Sequence, residues 1–212
     1  MRGVRGKTIN MNNLREMVLM HLAESARVKL ETASVCSESI VTAASLIAKT
    51  FRQGGKLLLC GNGGSAADCQ HMAAEFMSRL TKEFDRIALP AISLTTDSSF
   101  LTAYTNDCGY DGVFARQVEG LGKPGDVLLG ISTSGNSGNV LKAFEMCVKK
   151  GVSTVALCGS SGMLASKADV VISVPSRDTQ YIQECHLSIE HMICHLVEVE
   201  LFAAGASPQG AT

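Results

Sequence analysis

The sequence predicts an α/β fold: a doubly wound, five-stranded parallel sheet flanked by helices, with a helical extension at the N-terminus. The first observation is a set of short aliphatic runs, residues 56–60, 87–94, 126–132, 153–159 and 169–174, with the continuous apolar character of strands buried on both faces. The second is that helical patterns separate most of these runs, the alternation that builds a parallel sheet. The third is that two helical patterns precede any strand.

In chain order, the early helical patterns span residues 12–31 and 36–53 and carry apolar positions such as Leu14, Val18, Leu22 and Val28. They have no strand to serve, so they must cover a face of the sheet or pair with another subunit. Later patterns at 65–80, 112–121, 137–150 and 180–202 alternate with the strands. No internal repeat, low-complexity tract or long linker interrupts them. The chain therefore reads as one domain over residues 1–212: N-terminal helices at 12–55, an α/β core with its C-terminal helix at 56–203, and a Gly-, Ala-, Ser- and Pro-containing tail at 204–212 expected to fray and carry no function.

Composition narrows the function classes. The 212 residues are 46% hydrophobic and 18% charged, with a formal net charge of -1, so no global positive field would draw the chain to a nucleic acid or an anionic membrane. Residues 1–15 are basic but lack an apolar stretch behind them, and no later run is long and uncharged enough to span a bilayer. A cytoplasmic protein is expected. The eight cysteines (Cys36, Cys60, Cys69, Cys108, Cys147, Cys158, Cys185, Cys194) have no C-x-x-C spacing, and most sit in apolar runs, the pattern of reduced packing thiols.

In open α/β sheets the ligand crevice lies beyond the C-terminal ends of the strands, so chemistry is sought in the loops that follow them. After the first run comes Gly61-Asn62-Gly63-Gly64-Ser65, where glycines allow close backbone approach and Ser65 offers a hydroxyl; a plain tight turn is the alternative. After the third comes Ser132-Thr133-Ser134-Gly135-Asn136-Ser137, which sets four hydroxyls before a helix N-terminus, a ready site for a phosphate. Neither loop is a Walker P-loop or a G-x-G-x-x-G turn, which weakens nucleoside triphosphate and dinucleotide readings.

Two helices add titratable groups. His71 and Glu75 stand four apart behind the glycine-rich loop and share a helix face, with Asp68 and Gln70 nearby in sequence but directed elsewhere. On the last helix, Gln183, Glu184, His186, Glu190, His191 and His195 alternate with aliphatic residues. His191 and His195 have the spacing of metal ligands on one face, but a helical histidine pair without a further motif is as easily structural. At about 100° per residue, Gln183 and His191 fall on one broad face. His195 lies deeper among Met192, Ile193 and Leu196, where a packed or interface histidine is the better reading.

Together, CGNGGSAADCQHMAAEF, LTTDSSFLTAYTNDCGYDGVFARQVEGLG, GDVLLGISTSGNSGNV and DTQYIQECHLSIEH resemble the sugar isomerase (SIS) family over about residues 12–203, and within it the phosphoheptose isomerases. That resemblance implies conversion of sedoheptulose 7-phosphate to D-glycero-D-manno-heptose 7-phosphate, the first step toward the heptose of lipopolysaccharide, by a homotetramer with active sites between subunits. It assigns Ser132, Thr133, Ser134 and Ser137, with Ser65, to the phosphate; Asn62, Gly63 and Gly64 to the sugar; and Asn106 with Asp107 to a second contact pair. Glu75 and His191 match the acid/base residues, with Glu75 favoured as the base at C1. His71, Glu75, Gln183 and His191 match a site for one zinc per subunit. Two positions depart from the family pattern: Glu190 stands where a small or apolar residue is usual, and Tyr181 where an arginine is common. Glu190 is expected to alter the local charge or to reach water.

Two rival readings exist. Some SIS relatives are non-catalytic tetramers that bind the replication initiator, but they lack the final catalytic histidine, present here as His191. A sugar-phosphate-sensing transcription regulator would need a DNA-binding module for which 212 residues leave no room.

Overall fold

A computed structural model of the chain describes residues 11–203. The basic residues 1–10 and the tail 204–212, for which fraying was expected, lie outside it. The elements run α1 (Met11–Arg52), β1 (Leu57–Gly61), α2 (Gly64–Met77), β2 (Ala91–Ser93), α3 (Ser98–Cys108), α4 (Val113–Leu121), β3 (Val127–Ser132), α5 (Gly138–Lys150), β4 (Ser153–Cys158), β5 (Val170–Ser173) and α6 (Thr179–Phe202), with 3-10 turns at Tyr110–Gly112 and Leu164–Lys167.

All strand pairs are parallel, in the order β2-β1-β3-β4-β5. Side chains alternate between the two faces of the sheet. Leu57, Leu59, Val127, Leu129, Ile131, Val155 and Leu157 pack into one core with α1, α2 and α6. Leu58, Cys60, Leu128 and Ala156 pack into the other with α4 and α5. The result is the expected α/β/α sandwich. Gly130 lets α5 sit close on β3, because a Cβ there would run into Phe144 and Val140.

Three details differ from the sequence expectation. The two early helices are one helix, α1: the intervening Thr32, Ala33, Ser34 and Val35 include no glycine or proline to break it. Thr32 Oγ1 bonds the Val28 carbonyl at 2.7 Å, and its neighbours stay helical. β2 is shorter than residues 87–94 because Pro90, which has no N–H, immediately precedes it at the sheet edge. An unexpected helix, α3, follows β2. None of its residues is fully buried, and Phe100, Leu101 and Tyr104 pack only half-buried against the α4–α5 side of the core; its signal is Asp97, whose carboxylate accepts from the Phe100 N–H at 2.9 Å as an N-cap.

The end of the sheet opposite the loops is fixed by Asp126. Its carboxylate accepts from the Lys56 N–H at 2.9 Å and the Lys123 N–H at 2.8 Å, and it pairs with Lys56 Nζ at 2.6 Å. Replacing Asp126 by Ala leaves these donors without their partner, and we expect a loss of about 2 kcal/mol. The melting temperature should drop by about 4–8 °C with KM and kcat unchanged, because the carboxylate lies at the far ends of β1 and β3. An unaltered melting temperature would show that the cluster contributes nothing.

Candidate active site

In a sheet of this order the crossovers from β1 and β3 leave in opposite directions, to β2 on one side and β4 on the other, and open a crevice between them. Both motif-bearing loops meet there. Asn62 and Asn139 hold the two loops together by reciprocal amide bonds, Asn62 Nδ2 to Asn139 Oδ1 and Asn139 Nδ2 to Asn62 Oδ1, each 2.9 Å. Asn139 is buried at the start of α5, and its Oδ1 also accepts from the Val140 N–H at 3.0 Å. The Tyr110 hydroxyl donates to Asn62 Oδ1 at 2.9 Å. Asn139 and Tyr110 escaped sequence reasoning, although both lie within the quoted motifs. Most of the Asn62 amide is thus engaged within the protein, leaving an N–H for a ligand.

The serine loop is preorganised. Ser132 Oγ lies 2.9 Å from Ser137 Oγ and 3.5 Å from Ser134 Oγ, and Ser134 Oγ accepts from the Asn136 N–H at 3.2 Å. Gly135 turns the chain at φ 64°, and its N–H bonds the Ser132 carbonyl. Ser137 occupies the N-cap of α5 without using its side chain as a cap, so its hydroxyl faces the loop and not the helix. Thr133 is half-buried, and its carbonyl accepts from the Gly159 N–H. In the first loop Gly63 has φ 57° and Ser65 is buried in the first turn of α2.

α2 and α6 then bring the titratable groups together. His71 Nε2 lies 2.7 Å from His191 Nε2, with the rings edge-to-face, and 3.7 Å from Glu75 Oε1. The Gln183 amide packs directly on Gly64, so closely that a Cβ at Gly64 would collide with it. His71, Glu75, Gln183 and His191 therefore line one wall beside the first loop. His195 is half-buried farther along α6. Asn106 and Asp107 are not part of this wall: both are exposed on the last turn of α3, where Asn106 Nδ2 donates to Asp107 Oδ1.

Two imidazole nitrogens and a carboxylate on this wall are donor types that zinc takes, whereas the Gln183 amide is an uncommon zinc ligand. Among the described residues no three His, Cys, Asp or Glu side chains form a closed cage, so a bound ion would draw these donors together.

Beneath the wall, the inner stripe of α6 is polar and buried. His186, Glu190 and Glu198 have no exposed surface. Both ring nitrogens of His186 and both carboxyl oxygens of Glu190 lack a hydrogen-bond partner, as does Asp68 Oδ2 on α2. Burial pulls the His186 imidazole down to about 4; the Cys158 backbone, outside hydrogen-bonding geometry, opposes it only in part. Burial, and secondarily the Asp68 charge, pushes the Glu190 carboxyl up to about 8. Asp68 is itself raised by burial. Glu190 therefore does not reach water, as one sequence expectation had it; it is a neutral acid at pH 7 facing Asp68. Tyr181, the other departure, packs against His21 of α1 with ring centroids 4.9 Å apart and the planes tilted by 37°.

A second buried feature that sequence reasoning missed closes the far end of α2. Arg86 Nε donates to Glu198 Oε1 at 2.7 Å, its NH1 to the Phe76 carbonyl at 2.9 Å and its NH2 to the Glu75 carbonyl at 2.8 Å. The only sequence signal was Glu198 itself, a carboxylate inside the apolar run HLVEVELF.

The Glu190 shift has a testable sign. An unfolded glutamate releases its proton near 4.5, whereas the folded one holds it to about 8. Stability that is complete below the lower value is lost as pH rises through that window. Wild type should thus lose melting temperature relative to Glu190→Gln as pH is raised from about 5 to 8; a difference that stays flat would contradict a buried neutral acid.

A family profile described as SIS domain matches residues 21–159. The phosphoheptose isomerase of Chlorobaculum tepidum is 53% identical over 185 residues, covering 86% of this chain and 88% of that protein. Phosphoheptose isomerase 2 of Campylobacter jejuni is 48% identical over 202 residues, covering 93% and 98%. The solved structure of the Neisseria gonorrhoeae phosphoheptose isomerase superposes with a TM-score of 0.82 at 44% identity, covering 87% of this chain and 98% of that one.

Proposed function

This chain belongs to the SIS-domain family and, within it, to the phosphoheptose isomerases, and from that premise we propose that it converts sedoheptulose 7-phosphate to D-glycero-D-manno-heptose 7-phosphate. The observation that carries the reading is the meeting of His71 and Glu75 of α2 with His191 of α6, on the helix that leaves the glycine loop and the helix packed against it, together with a serine loop whose hydroxyls are not spent on capping and suit a phosphate.

The phosphate sits on the hydroxyls of Ser132, Ser134 and Ser137, with Thr133 and Ser65 nearby, at the positive end of the α5 dipole. The sugar chain then runs past Asn62, Gly63 and Gly64 toward the wall. Glu75 removes a proton from C1 while His191 gives a proton to the C2 carbonyl oxygen, which produces an enediol. Removal of the O1 proton with return of a proton to C2 then gives the aldose. Each positioned acid or base contributes about 10²–10⁴-fold in rate. His71 faces His191 Nε2 to Nε2, so one ring of the pair donates to the other.

One zinc per subunit would be held by His71, Glu75, Gln183 and His191. When bound it supplies a Lewis acid for the developing oxyanion.

The working unit is a homotetramer with active sites between subunits. In support, the first turns of α1 expose Leu14, Met17, Val18, Leu19, Met20 and Leu22, an apolar surface that a second copy would cover. A cytoplasmic location is supported by cysteines that are all free, seven of them buried. No helix among the described residues is long and apolar enough to cross a membrane. The product feeds heptose synthesis for lipopolysaccharide. The initiator-binding alternative gains no support, since His191 is present and engaged at the wall.

The test is turnover of sedoheptulose 7-phosphate by purified protein, with zinc and with a chelator: activity that the chelator lowers is expected, and no turnover by folded, zinc-supplemented protein would remove the proposal. Within an active enzyme, His191→Asn should cost at least about 10²-fold in kcat with the melting temperature nearly unchanged. His195→Asn should chiefly lower stability. Near-full activity in His191→Asn would overturn the acid/base assignment.

A further inference from the structure

Arg86 lies outside the acid/base wall, yet its guanidinium touches the backbone that carries it. Helices end with carbonyls that have no intrahelical donor. At the end of α2 the carbonyls of Glu75 and Phe76 are taken up by Arg86 NH2 and NH1, and the Leu89 N–H adds a second bond to Phe76. The same guanidinium donates through Nε to Glu198 on α6, and both side chains are only 1% exposed. Glu198 stands seven residues, about two turns, beyond His191 on the same helix face. One planar group thus ties the last turn of α2, which presents Glu75, to the helix that presents His191.

We propose that Arg86 is a positioning residue for the isomerisation, one that sets the separation and orientation of the Glu75 carboxylate relative to His191 by holding the Glu75 and Phe76 carbonyls against Glu198. This rests on the acid/base reading of Glu75. The task requires arginine. Three directions of donation from one rigid plane cannot be reproduced by the point-like ammonium of lysine, although lysine would still neutralise Glu198. A phosphate anchored at the serine loop would be indifferent to the change, so the effect should fall on kcat and not on KM.

The test compares wild type, Arg86→Lys, Arg86→Gln and Asp126→Ala, the last being a stability control at the opposite end of the sheet. Wild-type turnover of sedoheptulose 7-phosphate is measured first, because its absence would dismiss the functional proposal without touching the positioning claim. With an active wild type, Arg86→Lys should lose about tenfold or more in kcat, since displacements near 1 Å at reacting groups can cost 10²-fold. KM should stay within about threefold, the KM-against-kcat split that a merely structural loss would not give. Asp126→Ala should keep wild-type kcat at equal or greater loss of melting temperature. Independently of turnover, backbone amide exchange over residues 72–80 should quicken in the Arg86 variants and not in the control. Should Arg86→Lys fail to fold, Arg86→Gln carries the same comparison, and should neither fold at 25 °C the exchange is read at the highest temperature that keeps one folded. Wild-type kcat in a folded Arg86 variant, loss of kcat that merely tracks melting temperature as in the control, or unchanged exchange over 72–80 would each overturn the proposal.

Discussion

The parallel pairing of β1 with β3, Leu57 beside Val127 through Gly61 beside Ile131, is the constraint on which the site depends. It ends two strands side by side at the same height, so the glycine loop and the serine loop rise together where the crossovers part. Nothing in either loop is sufficient alone. The Asn62–Asn139 amide pair locks the loops at one spacing, and buried Asn139 is held at the start of α5 by the packing of Val140 and Phe144 against β3.

The second level of organisation is the packing of α2 on α6, and it is chemically costly. All buried side-chain polar atoms without a partner among the described residues belong to His186, Glu190, Glu198 or Asp68, that is, to the inner stripe of α6 and the turn of α2 that faces it. Unpaired polar groups in a protein interior cost about 1–3 kcal/mol each. Such a concentration beside one wall is what a site maintained against stability looks like. The aliphatic neighbours Ile182, Ile189, Ile193 and Val197 offset it by anchoring α6 to α1 and the sheet. Glu190 and His186 avoid part of the cost by staying neutral: burial that raises a carboxyl and lowers an imidazole acts on both in the direction that removes charge.

How much was legible in the sequence follows from the range of each interaction. The strands were readable because burial on both faces demands unbroken aliphatic runs, and α5 because apolar positions recur along it at helical spacing. His71 with Glu75, and Gln183 with His191, could be placed on common helix faces from spacing alone. That α2 and α6 face one another could not, since helical period gives a direction and not a partner; the family resemblance supplied it. α3 was missed because it only half-buries a short face, and α1 was split because Thr32, Ser34 and Val35 are weak helix formers that tertiary contacts with α6 nevertheless hold helical. The Arg86–Glu198 bond joins residues 112 apart, and Arg86 lies in a stretch with no regular structure between α2 and β2. Local pattern carries no trace of it beyond an unexplained acid in an apolar run.

The central claim is that the fold delivers Glu75 to C1 of a sugar phosphate held by the serine loop, with His191 across from it. Solvent exchange at C1 reads this directly. Sedoheptulose 7-phosphate incubated in deuterated water with wild type should gain deuterium at C1, whereas Glu75→Gln should bind the same substrate in calorimetry with near wild-type affinity and show no exchange. Exchange at the wild-type rate in Glu75→Gln would contradict the account, because the proton would then be leaving C1 for some other group.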